Sequence, residues 1–93
     1  MEIREFQDIM TKTYGEGDEA RGIPATMAWI TEEVGELVQA VRKGTVGQQL
    51  HELGDVLACV ASLANQLGLS LEESAERFAA GCPKCGVSPC ICG

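Results

Sequence analysis

The chain has 93 residues, enough for one small domain, and hydrophobic residues make up 45% of it, enough for a packed core. Fourteen acidic residues against seven Lys and Arg give a formal charge of -7, which argues against binding nucleic acid through its phosphates. No apolar run reaches the length of about 18 residues that a membrane span needs.

The N-terminal segment "MEIREFQDIM" is acidic and has no long apolar stretch, so it does not match a secretory signal peptide. We therefore expect a cytoplasmic protein whose cysteines are reduced. Neither a membrane nor a nucleic acid polymer is expected as a partner.

Apolar residues recur at helical spacing, and no alternating pattern persists long enough for a strand. The first helix is predicted over residues 2–14. The segment "GEGDEARGIP" that follows has three glycines and a proline and is predicted to be a loop. The second helix is predicted to start at a Thr26 cap and to end near Lys43.

Two further helices complete the predicted bundle. The third helix is expected from about Gln48 to Leu67. Ser70 and Glu73 have the spacing of a capping box, which predicts a fourth helix at 71–80.

The predicted organisation is an all-α, four-helix domain over residues 1–80 and a tail over residues 81–93. The tail "GCPKCGVSPCICG" contains three glycines, two prolines and four cysteines, a composition that excludes a helix.

Two helices carry carboxylates beside their apolar faces. The stretch "ITEEVGELVQAV" contains Glu32, Glu33 and Glu36, and "HELGDVLACVASLA" contains Glu52 and Asp55. Because residues three apart lie about 60° apart around a helix, Glu33 and Glu36 flank the apolar stripe, whereas Glu32 points further outward.

Each of these helices has a predicted apolar stripe. The stripe of the second helix consists of Ile30, Val34, Leu37 and Val41. The stripe of the third helix consists of Val56, Cys59, Leu63 and Leu67. Glu52 lies in line with the second of these stripes and Asp55 lies next to it, so both can point between the two helices.

A single Glu on a helix is usually a solvated surface residue, but a set of four beside a core would repel one another and lose hydration. Neither helix places a Lys or Arg on that face near the acids. Either the carboxyl pKa values rise or a cation binds, and a cation is the simpler solution. All-oxygen sites suit Mg²⁺, Mn²⁺ or Ca²⁺, and Mg²⁺ also accepts substrate phosphates as ligands.

The stretches "EEVGEL" and "ELGDVLACVASLANQLG" supply the motifs EExxE and ExxD in that order. This double motif resembles the signature of the MazG-like, all-α nucleoside triphosphate pyrophosphohydrolases, and the resemblance covers roughly residues 2–80. It implies Mg²⁺-dependent cleavage between the α- and β-phosphates, which yields a nucleoside monophosphate and pyrophosphate.

The resemblance also implies roles for the acids and an oligomeric state. Glu32 would be an outer ligand or would orient water. The implied magnesium ligands are Glu33, Glu36, Glu52 and Asp55. Members of this family usually form dimers or tetramers, and the apolar residues on more than one face of these helices agree with pairing to another subunit.

The last helix, "EESAERFAAG", departs from the family pattern because it lacks the Lys and Asn residues that contact phosphates in many relatives. Arg77, Arg42 and Lys43 are the remaining candidates for phosphate contact. Two alternative functions stay open: a phosphoribosyl-ATP pyrophosphohydrolase, and a non-catalytic metal-binding interaction module.

Three further residues have two interpretations each, and a fourth has one. Trp29 and Phe6 either fill the bundle core or stack on a base. His51 is either a surface residue or a ligand beside Glu52. Cys59 lies in the apolar stripe and is interpreted as a buried small hydrophobe.

The tail begins with a CPxCG pattern that resembles a zinc knuckle, followed by a tighter C-x-C pair. Four thiolates can complete a tetrahedral zinc site, so the tail is predicted to bind Zn²⁺ structurally. The predicted ligands are Cys82, Cys85, Cys90 and Cys92. Disulfides, or a site shared between subunits, are the alternatives.

Overall fold

The computed structural model describes all 93 residues and contains four α-helices and no strand, which confirms the all-α prediction. The helices are α1 (Ile3–Arg21), α2 (Ile23–Lys43), α3 (Val46–Leu67) and α4 (Leu71–Glu76). α2 packs mainly against α3, α1 packs mainly against α3, and α4 packs against α1. No helix combines the length and the apolarity that crossing a membrane requires.

α1 continues through most of the segment that was predicted to be a loop, so that prediction is wrong. Gly15 and Gly17 lie inside the helix, where each costs about 1 kcal/mol relative to alanine. The last turn is held by Arg21, which donates to the Asp18 carboxylate at 3.0 Å, and by Gln66, which donates to the Asp18 carbonyl at 2.7 Å. The ion pair within the segment and the Gln66 contact from α3 offset its poor helix propensity.

A single residue, Gly22, joins α1 to α2. Its φ of +86° lies in the region that favours glycine, and its N–H donates to the Asp18 carbonyl at 3.0 Å. The predicted Thr26 cap is wrong, because α2 starts at Ile23 and Thr26 is fully buried inside its first turn. The Thr26 hydroxyl donates to the Gly22 carbonyl at 3.2 Å.

A two-residue connection joins α2 to α3, which makes the two helices antiparallel neighbours. Thr45 caps α3: its hydroxyl accepts from the Gln48 N–H at 3.2 Å, and the Gln48 side chain accepts from the Thr45 N–H at 2.8 Å. α3 therefore begins two residues before the predicted start and ends at Leu67 as predicted.

α4 is shorter than predicted. The Ser70 hydroxyl accepts from the Glu73 N–H at 3.1 Å, which confirms Ser70 as the cap, but the reciprocal bond of a full capping box is not formed. The helix ends at Glu76 and not at residue 80, because Phe78 and the residue after it bond to carbonyls only three residues back. The tail has no helix, as predicted.

The side chain of Gln7 ties α1 to the connection between α3 and α4. It donates to the Asn65 side chain at 2.9 Å and to the Leu69 carbonyl at 2.8 Å, and it accepts from the Leu71 N–H at 2.8 Å. Asn65 returns a bond to the Gln7 carbonyl at 3.3 Å. One glutamine therefore fixes where α1 lies against the end of α3.

The predicted apolar stripe of α2 is partly wrong, because Val34 and Val41 are exposed while Ile30 and Leu37 are half-buried. The fully enclosed positions of α2 are Thr26 and Ala40. In α3 the stripe is correct at Cys59, which is fully buried, and wrong at Leu67, which is half-exposed. The core is built from small side chains, which lets α3 approach its neighbours closely.

The chain exposes more surface than a compact monomer would. Its accessible area is 6624 Å², against about 5,200 Å² expected for a folded monomer of this mass. Its radius of gyration is 15.3 Å, against about 12 Å for a compact domain of this length. Exposed large aliphatic side chains on α2 and α3 contribute to this accessible area.

Candidate functional site

Two of the five acidic motif residues occupy positions on the buried sides of their helices. Residues seven apart differ by only about 20° around a helix, so Glu33 lies on the same line of α2 as the buried Thr26 and Ala40. In the same way Glu52 lies on the line of Cys59 in α3, as the sequence predicts. Both glutamates are half-buried. The carboxylates thus stand where apolar side chains would ordinarily pack.

The packing of α2 on α3 brings three carboxylates together. Glu33, Glu36 and Glu52 each place a carboxylate oxygen within 4.8 Å of the other two. Asp55 belongs to a second group of the same size, formed with Glu52 and His51. The four predicted magnesium ligands therefore form two groups that share Glu52.

The remaining motif acid, Glu32, and the neighbouring His51 lie further out. Glu32 is exposed, as its position on the helix predicts. His51 is also exposed, but its Nε2 lies 3.2 Å from a carboxylate oxygen of Asp55, one helical turn on. The sequence analysis considered His51 only as a surface residue or as a ligand, and missed this i,i+4 pair with Asp55.

The carboxylate group formed by Glu33, Glu36 and Glu52 has no cationic side chain as a partner. No Lys or Arg forms an ion pair with any of its members. The Oε2 atoms of Glu33 and Glu52 are buried and have no hydrogen-bond donor. Buried carboxylate oxygens without donors are costly unless a cation satisfies them, and oxygen ligands suit Mg²⁺. The residues present therefore fit a divalent cation.

The environment of Glu33 acts on its protonation. Burial raises the pKa of the Glu33 carboxyl above its usual value, and the negative charge of Glu36 raises it further. A hydrogen bond from the Trp29 indole N–H, at 3.0 Å, opposes this rise in pKa. The same enclosure raises the pKa of the neighbouring Cys59 thiol to about 11, first through burial and then through the charge of Glu33.

Glu33 is held by a chain of contacts that starts in the mispredicted part of α1. Trp29 donates to Glu33, and the Arg21 guanidinium lies 4.6 Å from the centre of the Trp29 ring. Arg21 in turn pairs with Asp18, which is almost completely buried. Asp18 and Arg21 were missed because their segment was taken as a loop; their i,i+3 spacing was the available signal.

A cleft of about 460 Å³ opens beside the carboxylate group. It is lined by Glu36 and Glu52 together with Lys43 from the last turn of α2. Of the three predicted phosphate-contacting residues, only Lys43 lines this cleft. Arg77 follows α4 and places its guanidinium 5.1 Å from the centre of the Phe78 ring.

A second cleft, of about 650 Å³, lies between α1 and the end of α3. Its lining includes Asp18, Asn65 and Gln66, and only one of its nine lining residues is hydrophobic. Asp18 Oδ2 and Gln66 Oε1 are buried without a hydrogen-bond donor. Trp29 and Phe6, the two predicted base-stacking candidates, are both half-buried and line neither cleft.

The four tail cysteines also come together. Their sulfur atoms lie within 4.8 Å of one another, and all four are free thiols. Backbone N–H groups of Cys85 and Lys84 lower the pKa of Cys82 to about 6. The thiols of Cys90, Cys82 and Cys85 raise the pKa of Cys92 to about 11. The tail could therefore hold a metal ion.

Comparison with known proteins identifies the family of this chain. The family model described as "MazG nucleotide pyrophosphohydrolase domain" matches residues 21–83, more than half of the chain. The chain belongs to the MazG nucleotide pyrophosphohydrolase family. The chain is also similar to a Bacillus subtilis (strain 168) protein described as "Uncharacterized protein YpjD". The two are 35% identical over 86 residues, which cover 81% of this chain and 78% of the relative.

The MazG match includes α2 and α3 and therefore all five acidic motif residues. It includes Arg21 but not Asp18, so half of the ion pair behind Trp29 lies outside the matched range. Of the tail cysteines it includes Cys82 alone. The family assignment therefore covers the carboxylate group and gives no account of the tail.

The raised pKa of Glu33 predicts a pH-dependent effect of Glu33→Gln on the metal-free protein. At pH values between the ordinary pKa of Glu33 in the unfolded chain and its raised pKa in the folded chain, the folded chain holds a proton that the unfolded chain has lost. The free energy of unfolding therefore falls as pH rises through that window. Glu33→Gln removes the charge. We expect it to raise the free energy of unfolding near pH 7, with the gain shrinking as pH falls through the raised pKa of the folded chain and absent below the ordinary value of 4.5.

Denaturant unfolding in the presence of a chelator, repeated over a pH series, measures this effect. Glu32→Gln is the matched control, because Glu32 is exposed one position away and should show no such gain. A Glu33→Gln variant that is less stable than the parent at neutral pH without metal would contradict the account.

Proposed function

We propose that this MazG-family chain is a Mg²⁺-dependent nucleoside triphosphate pyrophosphohydrolase, which converts a nucleoside or deoxynucleoside triphosphate and water to the monophosphate and pyrophosphate. The observation that carries the proposal is the unpartnered carboxylate group between α2 and α3. In this group the buried Oε2 atoms of Glu33 and Glu52 have no hydrogen-bond donor, and no Lys or Arg neutralises the carboxylates.

Glu33, Glu36 and Glu52 are the proposed ligands of one Mg²⁺, and Asp55 extends the site through the Glu52 that it shares. A triphosphate and this acidic site repel each other, so a cation is required for substrate to bind. When bound, Mg²⁺ offsets the phosphate charge and makes water a better nucleophile.

The chain's own residues supply positioning and proton transfer. The water oxygen attacks the α-phosphorus. The bond from the α-phosphorus to the oxygen that bridges it to the β-phosphate breaks, and that oxygen leaves with the pyrophosphate. A carboxylate beside the attacking water accepts its proton, and the exposed Glu32 orients that water or acts as an outer ligand. Trp29 holds one oxygen of Glu33 by its indole N–H, so the other oxygen stays aimed into the group.

Lys43 is the proposed phosphate contact. It lines the cleft that Glu36 and Glu52 also line, and it has no acidic partner within ion-pair distance. A lysine at the last turn of a helix is free to turn toward a substrate that enters this cleft. It would take the place of the Lys and Asn residues that α4 lacks.

Turnover is the direct test of this function. Purified full chain with Mg²⁺ and a panel of nucleoside triphosphates is expected to release pyrophosphate. Glu36→Gln and Glu52→Gln should each lower kcat by at least about 100-fold, since even groups that only orient a metal ligand cost about 10- to 100-fold when removed. Glu76→Gln, at the exposed end of α4, is the control and should retain full activity.

Three results would count against the proposal. Pyrophosphate release that persists in both carboxamide variants would exclude this site. Exclusive turnover of phosphoribosyl-ATP would favour the related pyrophosphohydrolase. Tight Mg²⁺ binding with no turnover of any nucleotide would favour the non-catalytic metal-binding module.

We further propose that the chain forms a homo-oligomer of even order, a dimer or a tetramer. Exposed apolar residues line one face of α2 and one face of α3. On α2 they are Met27, Val34, Val38 and Val41. On α3 they are Val46, Leu50, Leu53 and Leu57. Within each set the spacing of three, four or seven residues confines the side chains to an arc of about 60°.

The size of the uncovered surface supports this proposal. The chain exposes about 1,400 Å² more than a compact monomer of its mass, and a standard interface buries about 800 Å² on each partner. Apolar stripes on adjacent helices form a surface of the kind that a second helical pair can cover.

Light scattering coupled to size-exclusion chromatography should give two or four times the chain mass of 9.9 kDa. Leu53→Lys puts a charge in the middle of the α3 face and should shift the protein toward monomer. Thr13→Lys, on the exposed side of α1, adds the same charge and should leave the mass unchanged. A parent protein that is monomeric at micromolar concentration would contradict the proposal.

A further inference from the structure

The four tail cysteines lie outside the carboxylate group, and the family match ends before three of them. The sulfur atoms of Cys82 and Cys92 are 3.7 Å apart, and those of Cys85 and Cys90 are 4.0 Å apart. A disulfide requires about 2.05 Å between sulfurs, so neither pair is bonded. The cysteines are paired in space without being cross-linked.

These distances match the edges of a metal tetrahedron. Four thiolates at about 2.3 Å from one zinc ion lie about 3.8 Å from one another, and the two measured separations fall on either side of that value. All four sulfurs lie within 4.8 Å of one another, which leaves room for a single ion but not for a cluster with bridging sulfides.

The path of the backbone builds this arrangement. The Cys82 N–H donates to the Val87 carbonyl at 3.0 Å, and the Gly86 N–H donates to the Cys82 carbonyl at 2.6 Å, which closes a tight loop. Gly81 has a φ of +105°, and a Cβ there would lie 2.7 Å from the Val87 carbonyl group. Glycine is therefore required where the chain enters the loop, and Gly86, with a φ of +73°, is required inside it.

Nothing else in the chain explains why the tail is folded. No hydrogen bond joins residues 82–93 to the four helices. Its two aliphatic side chains, Val87 and Ile91, are exposed, so the tail buries no core of its own. A segment without a core loses conformational entropy on folding with no hydrophobic gain, and a metal ion is the usual compensation.

We propose that Cys82, Cys85, Cys90 and Cys92 bind one Zn²⁺ within a single chain. All four ligands come from a stretch of eleven residues, so no second chain is needed. Zn²⁺ suits a tetrahedral set of four thiolates, and four protein ligands leave no open position for a substrate. The ion is therefore structural, and its site is distinct from the carboxylate group that is proposed to hold Mg²⁺.

Metal analysis of the full chain tests this site. After purification under reducing conditions, incubation with Zn²⁺ and removal of free metal, we expect about one zinc ion per chain. Replacement by Co²⁺ should give the intense visible absorption of tetrahedral cobalt bound by thiolates. Cys82→Ala and Cys92→Ala should lose the zinc and the cobalt spectrum, while far-UV circular dichroism shows that the four helices persist.

Two controls separate the tail from other possible zinc ligands. Cys59→Ala also removes one thiol, but a buried one on α3, and this variant should retain one zinc ion per chain. His51→Ala disrupts the group of His51, Glu52 and Asp55 and should likewise retain it. Ser88→Ala is a tail control that leaves all four ligands in place and does not disturb the core.

Four results would overturn the assignment of a zinc site to the tail. They are less than half a zinc ion per chain in the reduced protein, full zinc retention in Cys82→Ala, iron in place of zinc, and loss of zinc in Cys59→Ala as complete as in Cys82→Ala. A stable ratio of one zinc ion to two chains would overturn the single-chain site. Because zinc is measured without substrate, failure of this proposal is distinguishable from failure of the proposed hydrolysis.

Discussion

The structure depends on one electrostatic constraint: two half-buried carboxylates, Glu33 and Glu52, lie on the packed sides of two helices, and no Lys or Arg neutralises them. Glu33 sits on the line of Thr26 and Ala40, and Glu52 sits on the line of Cys59. In an apolar contact such residues destabilise the fold unless a cation is bound or a proton is taken up. The raised pKa of the Glu33 carboxyl reflects this conflict in the metal-free chain. In this small protein the arrangement lowers core stability, and the proposed Mg²⁺ would offset that cost.

The rest of the fold is arranged around that constraint. Acids and small side chains occupy much of the contact between α2 and α3, and several of the larger aliphatic side chains lie on other faces of these helices, exposed in the single chain. The apolar faces proposed for subunit pairing and the acidic group are therefore linked features of the same two helices. α1 adds the support behind Glu33, because Arg21 packs on Trp29 and is anchored by the buried Asp18.

The helices with strong periodic patterns were predictable, and so were the acids that meet. Of the four acids that helical spacing predicted to converge, Glu33, Glu36 and Glu52 form one group, and Asp55 is connected to it only through Glu52. The end of α1 was not predictable from local propensity, because Gly15 and Gly17 argue for a loop and the contacts that stabilise the helix come from Gln66, far along the chain. The exposure of Val34 and Val41 was not predictable either, because hydropathy alone favours valine over glutamate as the buried residue.

The most direct test of the central claim is to locate a divalent cation in crystals of the full chain grown with Mn²⁺, by anomalous scattering. The account predicts a manganese peak between Glu33, Glu36 and Glu52, with carboxylate oxygens about 2.2 Å from it. It also predicts that the Trp29 indole keeps its hydrogen bond to Glu33. Crystals that contain Mn²⁺ at saturating concentration but show no peak there, with the three carboxylates turned to solvent or paired with Lys43, would contradict the account.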